Sequence, residues 1–145
     1  MIEDLDAILT RFFQRQPQVV SAYLFGSRAT GKAGPLSDID VAVLLTEEAQ
    51  RRSDPYGEEA LLHVELMKAL RTDKVDLVFL HQAGPFLAHR VIRDGRRVYT
   101  RDELLDQWFR VHVVQQYLDT APLRRLQSAE LRKRLAQGRF GQGQR

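Results

Sequence analysis

The sequence predicts a small α/β (α+β) domain with a sheet of three to five strands, and three observations predict it. Short β-rich apolar runs, VVSAYLF (19–25), IDVAVLL (39–45) and KVDLVFL (74–80), are each bounded by proline, glycine or polar residues. Amphipathic stretches of helical spacing alternate with them. At 145 residues, 43% hydrophobic and 28% charged, the chain has the size and balance of one globular domain with a real core.

Each element follows from local pattern. Residues 2–15 place Ile2, Leu5, Ile8, Leu9, Phe12 and Phe13 at helical spacing, with acids leading and bases following as the macrodipole favours, until Pro17 ends the run. The strand at 19–25 stops at Gly26-Ser27, where a short helix can begin, and a second strand covers 39–45. Asp54-Pro55 reads as a cap and first helical position, opening a helix to about Arg71 with Leu62, Leu66, Met67 and Leu70 inward. The strand at 74–80 is followed by a short helix from Pro85 through Ile92, stopped by Gly95, and then by RRVYT as an edge strand. A longer helix runs from Asp102 to about Leu118, and a basic helix from about Pro122 to Ala136. The ending QGRFGQGQR is expected to be disordered. The expected division is a folded domain over 1–120 and a basic helical segment with a tail over 121–145.

Composition narrows the class. There is no cysteine, hence no disulfide framework or thiolate metal site. No apolar run approaches the length of a membrane span, and the acidic N-terminus lacks the features of a signal peptide, so a cytoplasmic protein is expected. The net charge of +3 conceals an asymmetry: residues 121–145 carry seven Lys or Arg against one Glu, a net +6, and the rest is mildly acidic. Such a tail can meet nucleic acid or an acidic partner; a solvated helix face with a frayed end is the plainer alternative.

The chemistry concentrates in GSRATGKAGPLSDIDVAVLL, residues 26–45. Asp38 and Asp40 are two apart on a strand and therefore share a face, roughly 6 to 7 Å apart along the backbone. Asp76, the acid within the third apolar run, is the candidate third carboxylate. Three aspartates without His or Cys make a hard, all-oxygen donor set suited to Mg²⁺ or Mn²⁺. The bland alternative has Asp38 capping a strand end and Asp76 exposed on an edge. Gly26-Ser27 lets backbone N–H groups approach a phosphate and adds a hydroxyl donor, or is simply a turn. Coupled to Ser-Asp-Ile-Asp eleven residues on, it becomes specific.

That joint pattern resembles the signature of the DNA polymerase β-type nucleotidyltransferase superfamily. The short length is similar to its minimal members, the MntA-like antitoxins encoded with HEPN-domain (HepT-like) toxins. VDLVFLHQAGPFLAHRVIRDGRRVYTRD is similar to the stretch of that family reading DLVDL, then AP, L, V, GR, LY and RD, and QQYLDTAP to its helix with a Tyr-x-Asp ending, so the resemblance covers residues 1–123. It implies the small nucleotidyltransferase fold, a mixed sheet flanked by helices with C-terminal helices. It implies that Gly26 and Ser27 hold the triphosphate of ATP and that Asp38 and Asp40 bind the metal ions. Asp76 would complete the second metal site and help deprotonate the attacking hydroxyl. AMP would pass to a tyrosine of a HEPN ribonuclease toxin and silence it. One departure stands out: where the family often carries arginine this chain has Thr30, with Arg28 and Lys32 as candidate substitutes. The toxin's own Arg-x₄-His-x-Tyr pattern is absent, so this chain is not the ribonuclease.

Three alternatives stay open: transfer to a small molecule, neutralisation of a partner by occlusion alone, and nucleic-acid binding through the basic tail. The first lacks room for a substrate domain and the last lacks any template-holding domain. Trp108, Phe109 and Tyr117 form a candidate docking surface or, equally, core packing. His63 and His89 are expected at the surface, and His112 packed.

Overall fold

The structure, a computed structural model, describes residues 4–31, 34, 37–52 and 54–138. Helix α1 (Leu5–Gln14) is capped by Asp4, whose carboxylate accepts from the Asp6 N–H at 3.2 Å, and it buries Leu9 and Phe13. Strand β1 (Val19–Phe25) is buried along its whole length. It leads through the short helix α2 (Ser27–Thr30) to β2 (Ile39–Leu45). Two helices, α3 (Glu47–Arg52) and α4 (Glu58–Leu70), then cross to β3 (Val75–Phe79). Helix α5 (Pro85–Asp94), β4 (Arg96–Thr100), α6 (Glu103–Asp119) and α7 (Ala121–Ala136) complete the order.

The strands form a mixed four-stranded sheet in the order β3-β2-β1-β4. β1 pairs antiparallel with β2 and β4, and β2 pairs parallel with β3. Alternation sorts side chains to two covered faces. Leu24, Val41 and Val43 meet Leu9 and Phe13 of α1 and Leu62 and Leu66 of α4. Tyr23, Phe25, Ala42 and Leu44 meet Val91 of α5, with Phe109 of α6 packed alongside. Burial on both faces is why β1 and β2 read as unbroken apolar runs. No helix among the described residues is long and apolar enough to cross a membrane.

The structure corrects the segment between β2 and β3. No helix starts at Asp54-Pro55; Asp54 instead closes a turn, its carbonyl accepting from the N–H groups of Gly57 and Glu59 at 3.3 and 3.1 Å. The helix proper begins at Glu58, and α3 precedes the turn. This short helix was missed because it presents no apolar periodicity. Its acids lead, its bases follow, and Arg51–Glu47 and Arg52–Glu48 pair one turn apart at 3.1 and 3.2 Å. Of the ending expected to be disordered, residues 137–145, Gln137 caps α7 and Gly138 follows in a turn, while 139–145, like Ile2 of the first expected helix, lie outside the described residues.

A polar tie fixes α6 to the sheet. Asp106 is fully buried, accepting a hydrogen bond from the Tyr23 hydroxyl and one from Arg97 Nη1 at 2.8 Å. Arg97 also pairs with Glu103 at 2.8 Å, so its charge is shared between two carboxylates on consecutive turns of α6. Burial and the Asp106 carboxylate hold the Tyr23 phenol far above its ordinary range, so it remains a neutral donor. Removing the acceptor strands the buried Tyr23 hydroxyl and leaves the exposed Arg97 to Glu103 alone. Asp106→Ala is expected to lower stability by about 2–3 kcal/mol and Tyr23→Phe by about 1 kcal/mol in chemical denaturation. Equal losses for the two would count against Arg97 as a partner in the tie.

Candidate active site

Gly26, the residue after β1, has φ +72° and ψ −153°, a region essentially reserved for glycine. The strand register sets Phe25 opposite Asp40. A Cβ on Gly26 would lie 2.2 Å from Oδ2 of Asp40, so the carboxylate occupies space that a side chain at 26 would fill. Ser27 opens α2, which ends at Gly31 in the left-handed conformation. Arg28 turns back across the loop and donates from Nη2 to the Ser37 carbonyl at 3.0 Å. It ties the start of α2 to the segment just ahead of the aspartates. Lys32 lies outside the described residues.

Asp40 and Asp76 are register partners across the parallel β2–β3 pair, near enough for the Asp76 carboxyl to act on that of Asp40. Asp76 is exposed on the edge strand, as the bland alternative expected, and is a neighbour of Asp40 all the same. Asp38 is exposed just ahead of β2 and close enough for Asp40 to feel its charge. The Asp40 carboxyl is pushed above its ordinary range by burial first, then by the charges of Asp76 and Asp38, with Arg90 pulling the other way. Among the described residues no three His, Asp or Glu side chains gather tightly enough to enclose an ion. An open, all-oxygen, mutually repelling set fits Mg²⁺, which keeps few protein carboxylates and takes phosphate oxygens for the remainder.

Phe25, Gly26, Asp40, Arg90 and Asp94 line a cavity of about 340 Å³. Arg90 and Asp94 were missed by sequence reasoning. Their signal is the i, i+4 spacing on α5, whose buried Val91 and close-packed Gly95 (a Cβ there would lie 3.2 Å from the Leu24 carbonyl oxygen) bring that face to the end of β1. A larger cavity, about 780 Å³, opens at the opposite end of the strands between Leu44, Leu80, His81 and Trp108. It contains none of the three aspartates.

The other singled-out residues separate cleanly. His63 Nε2 hydrogen-bonds the Val75 carbonyl oxygen at 2.7 Å, and His89 stacks on Tyr117 at 3.6 Å. His112 is exposed, not packed, lying flat on Trp108 at 5.2 Å. Of the expected docking trio only Trp108 is exposed; Phe109 packs toward the core, and the Tyr117 ring lies between His89 and Arg124.

Residues 8–104 match the family described as Polymerase beta, Nucleotidyltransferase. The chain is 34% identical over 103 residues to the protein adenylyltransferase MntA of Aphanizomenon flos-aquae, covering 68% of each chain. It is similar to the crystal structure of a toxin–antitoxin with AMP-PNP, with a TM-score of 0.70, 26% identity, and coverage of 88% of this chain and 98% of that one. A tri-AMPylated Shewanella oneidensis HEPN toxin in complex with an MNT antitoxin is also similar, with a TM-score of 0.63, 25% identity, and coverage of 87% and 94%.

Two measurements probe the site. In Gly26→Ala, strain and the displaced Asp40 are expected to lower stability by about 1–3 kcal/mol, read from urea denaturation. Because the folded chain holds the Asp40 proton to higher pH than the unfolded chain, stability tied to that proton falls as pH rises above the ordinary aspartate range and stays lost above the raised pKa. With EDTA present, Asp40→Asn is therefore expected to melt about 2 °C above the parent chain at pH 7. The gap should close in acid; a lower melting temperature at pH 7 would contradict the electrostatic account.

Proposed function

The chain belongs to the polymerase beta nucleotidyltransferase family, and from that premise we propose that it is an adenylyltransferase antitoxin whose partner is a HEPN-domain toxin. It transfers AMP from ATP, with Mg²⁺, to a tyrosine hydroxyl of that partner and so silences it. The observation that carries this reading is the occupation of the Gly26 side-chain space by the Asp40 carboxylate, with Asp76 directly beside it.

Asp38, Asp40 and Asp76 would hold the divalent ions, whose charge offsets that of the carboxylates and of the phosphates. Gly26 and Ser27 would hold the triphosphate through backbone N–H groups and the serine hydroxyl. Asp76 would receive the proton of the incoming hydroxyl. The hydroxyl oxygen bonds to the α-phosphorus, and the bond to the bridging oxygen breaks with its electron pair leaving on pyrophosphate. Fixed charges and positioning supply the catalysis, since phosphoryl transfer asks little else of a protein.

A partner also needs a surface. Leu104, Trp108, Val111 and Leu118 recur one or two turns apart on α6, and Leu104, Trp108 and Leu118 are 79%, 65% and 59% exposed. An apolar stripe of this kind suits a standing protein contact. Relatives are found in complex with their toxins, which supports the same partner class here.

Mass spectrometry of a HEPN-domain toxin that binds this chain, after incubation with ATP and Mg²⁺, is expected to show added AMP on a tyrosine. The addition should disappear with Asp40→Asn. Tight association without any addition would replace enzymatic silencing with occlusion. Trp108→Ala is expected to weaken association at least about 10-fold in calorimetry while ATP binding is unchanged.

A further inference from the structure

Four of the residues around the smaller cavity have an evident place: Phe25 is core, Gly26 makes room, Asp40 fills that room, and Asp94 is held by its neighbour. Arg93 grips Asp94 through two bonds, Nε to Oδ1 at 2.9 Å and Nη2 to Oδ2 at 2.8 Å. That leaves Arg90. It is exposed and lines the cavity, and among the described residues it makes no hydrogen bond and no ion pair. Other arginines along this side of the chain are tied: Arg28 to the Ser37 carbonyl, Arg96 to Asp6, and Arg97 to Glu103 and Asp106.

A free guanidinium beside a carboxylate cluster has a physical meaning. Arg90 stands close enough to Asp40 and Asp94 to draw both carboxyls toward the ionised form, yet it salt-bridges neither. An ordinary ion pair would have closed onto the nearer carboxylate. Its five donors remain available in a planar fork suited to phosphate oxygens. The nucleotide would bring several negative charges into a site already lined with acids, and divalent ions at the aspartates would offset part of that charge.

Resting on the proposed adenylyl transfer, we propose that Arg90 binds the phosphates beyond the reacting phosphorus and selects a triphosphate over a monophosphate. As the hydroxyl oxygen bonds to the α-phosphorus, the electron pair of the broken bond passes to pyrophosphate. Arg90 faces that charge, so it contributes both to ATP binding and to stabilising the leaving group. Arg93 cannot take over, because its fork is already occupied by Asp94.

The test compares the full chain with Arg90→Met and Arg90→Lys. Binding of fluorescent ATP and AMP analogues is measured with Mg²⁺ present, and transfer to the HEPN partner is followed in parallel. Arg90→Met is expected to weaken ATP analogue binding roughly 10- to 100-fold while AMP analogue binding stays within about twofold. Arg90→Lys should recover part of the loss, and melting temperatures should fall by no more than about 2 °C, since the exposed side chain acts on Asp40 and Asp94 only through space. Equal weakening for ATP and AMP, or no weakening, overturns the proposal. Failure of the two readings is distinguishable. A parent chain that binds ATP through Arg90 but transfers nothing overturns the adenylyl-transfer reading and supports the phosphate contact. Transfer that is indifferent to Arg90→Met overturns the phosphate contact alone.

Discussion

The site depends on one steric fact: at the end of β1 there is no side chain where the Asp40 carboxylate sits. Antiparallel pairing of Phe25 with Asp40 brings the two strands together at that point, and the backbone conformation of Gly26 turns the chain away immediately afterwards. Any other residue there would be strained by its φ and would collide with the carboxylate. The Gly-Ser and Asp-x-Asp pieces are therefore two halves of one contact, joined by pairing across a long loop. Their spacing in sequence is the loop length that this register requires.

From that contact the electrostatics follow. Asp40 is partly buried, flanked by Asp76 across the parallel strand pair and by Asp38 two residues earlier, and its carboxyl is driven upward by all three influences. A chain that keeps such a repulsive group needs a cationic visitor or a functional return. The opposing pull comes from Arg90, which approaches from α5 and not from the sheet. The site is thus assembled from a strand pair and one covering helix, with Asp38, Asp40 and Asp76 on or beside the former and Arg90 on the latter.

The remainder of the fold holds that helix in place. Val91 buries beneath α5, Gly95 lets the chain pass close to the Leu24 carbonyl, and α6 is tied through Asp106 to Tyr23 and Arg97. Tyr23 is two residues from Phe25 on the same face of β1. The buried polar tie and the candidate-site strand end therefore share one strand. Beyond α6 the chain changes character: α7 buries nothing, and Arg124 anchors its start by stacking over Tyr117.

The sequence by itself determined the strands, most of the helices, and the three aspartates with Gly26 and Ser27, because each is written in local pattern. Apolar runs, proline and glycine boundaries, and the two-residue alternation of side chains need no knowledge of distant chain. Pattern failed where periodicity was absent, at the short charged helix Glu47–Arg52. It also failed for Trp108, Phe109 and Tyr117, which share one helix yet divide between solvent and interior. Only the tertiary structure decided that Asp76 lies beside Asp40, since strand register is set by core packing on both faces. Only it decided that Arg90 faces the cavity unpaired, because a side chain's partners depend on how a helix docks, and docking is settled by contacts made far away in sequence.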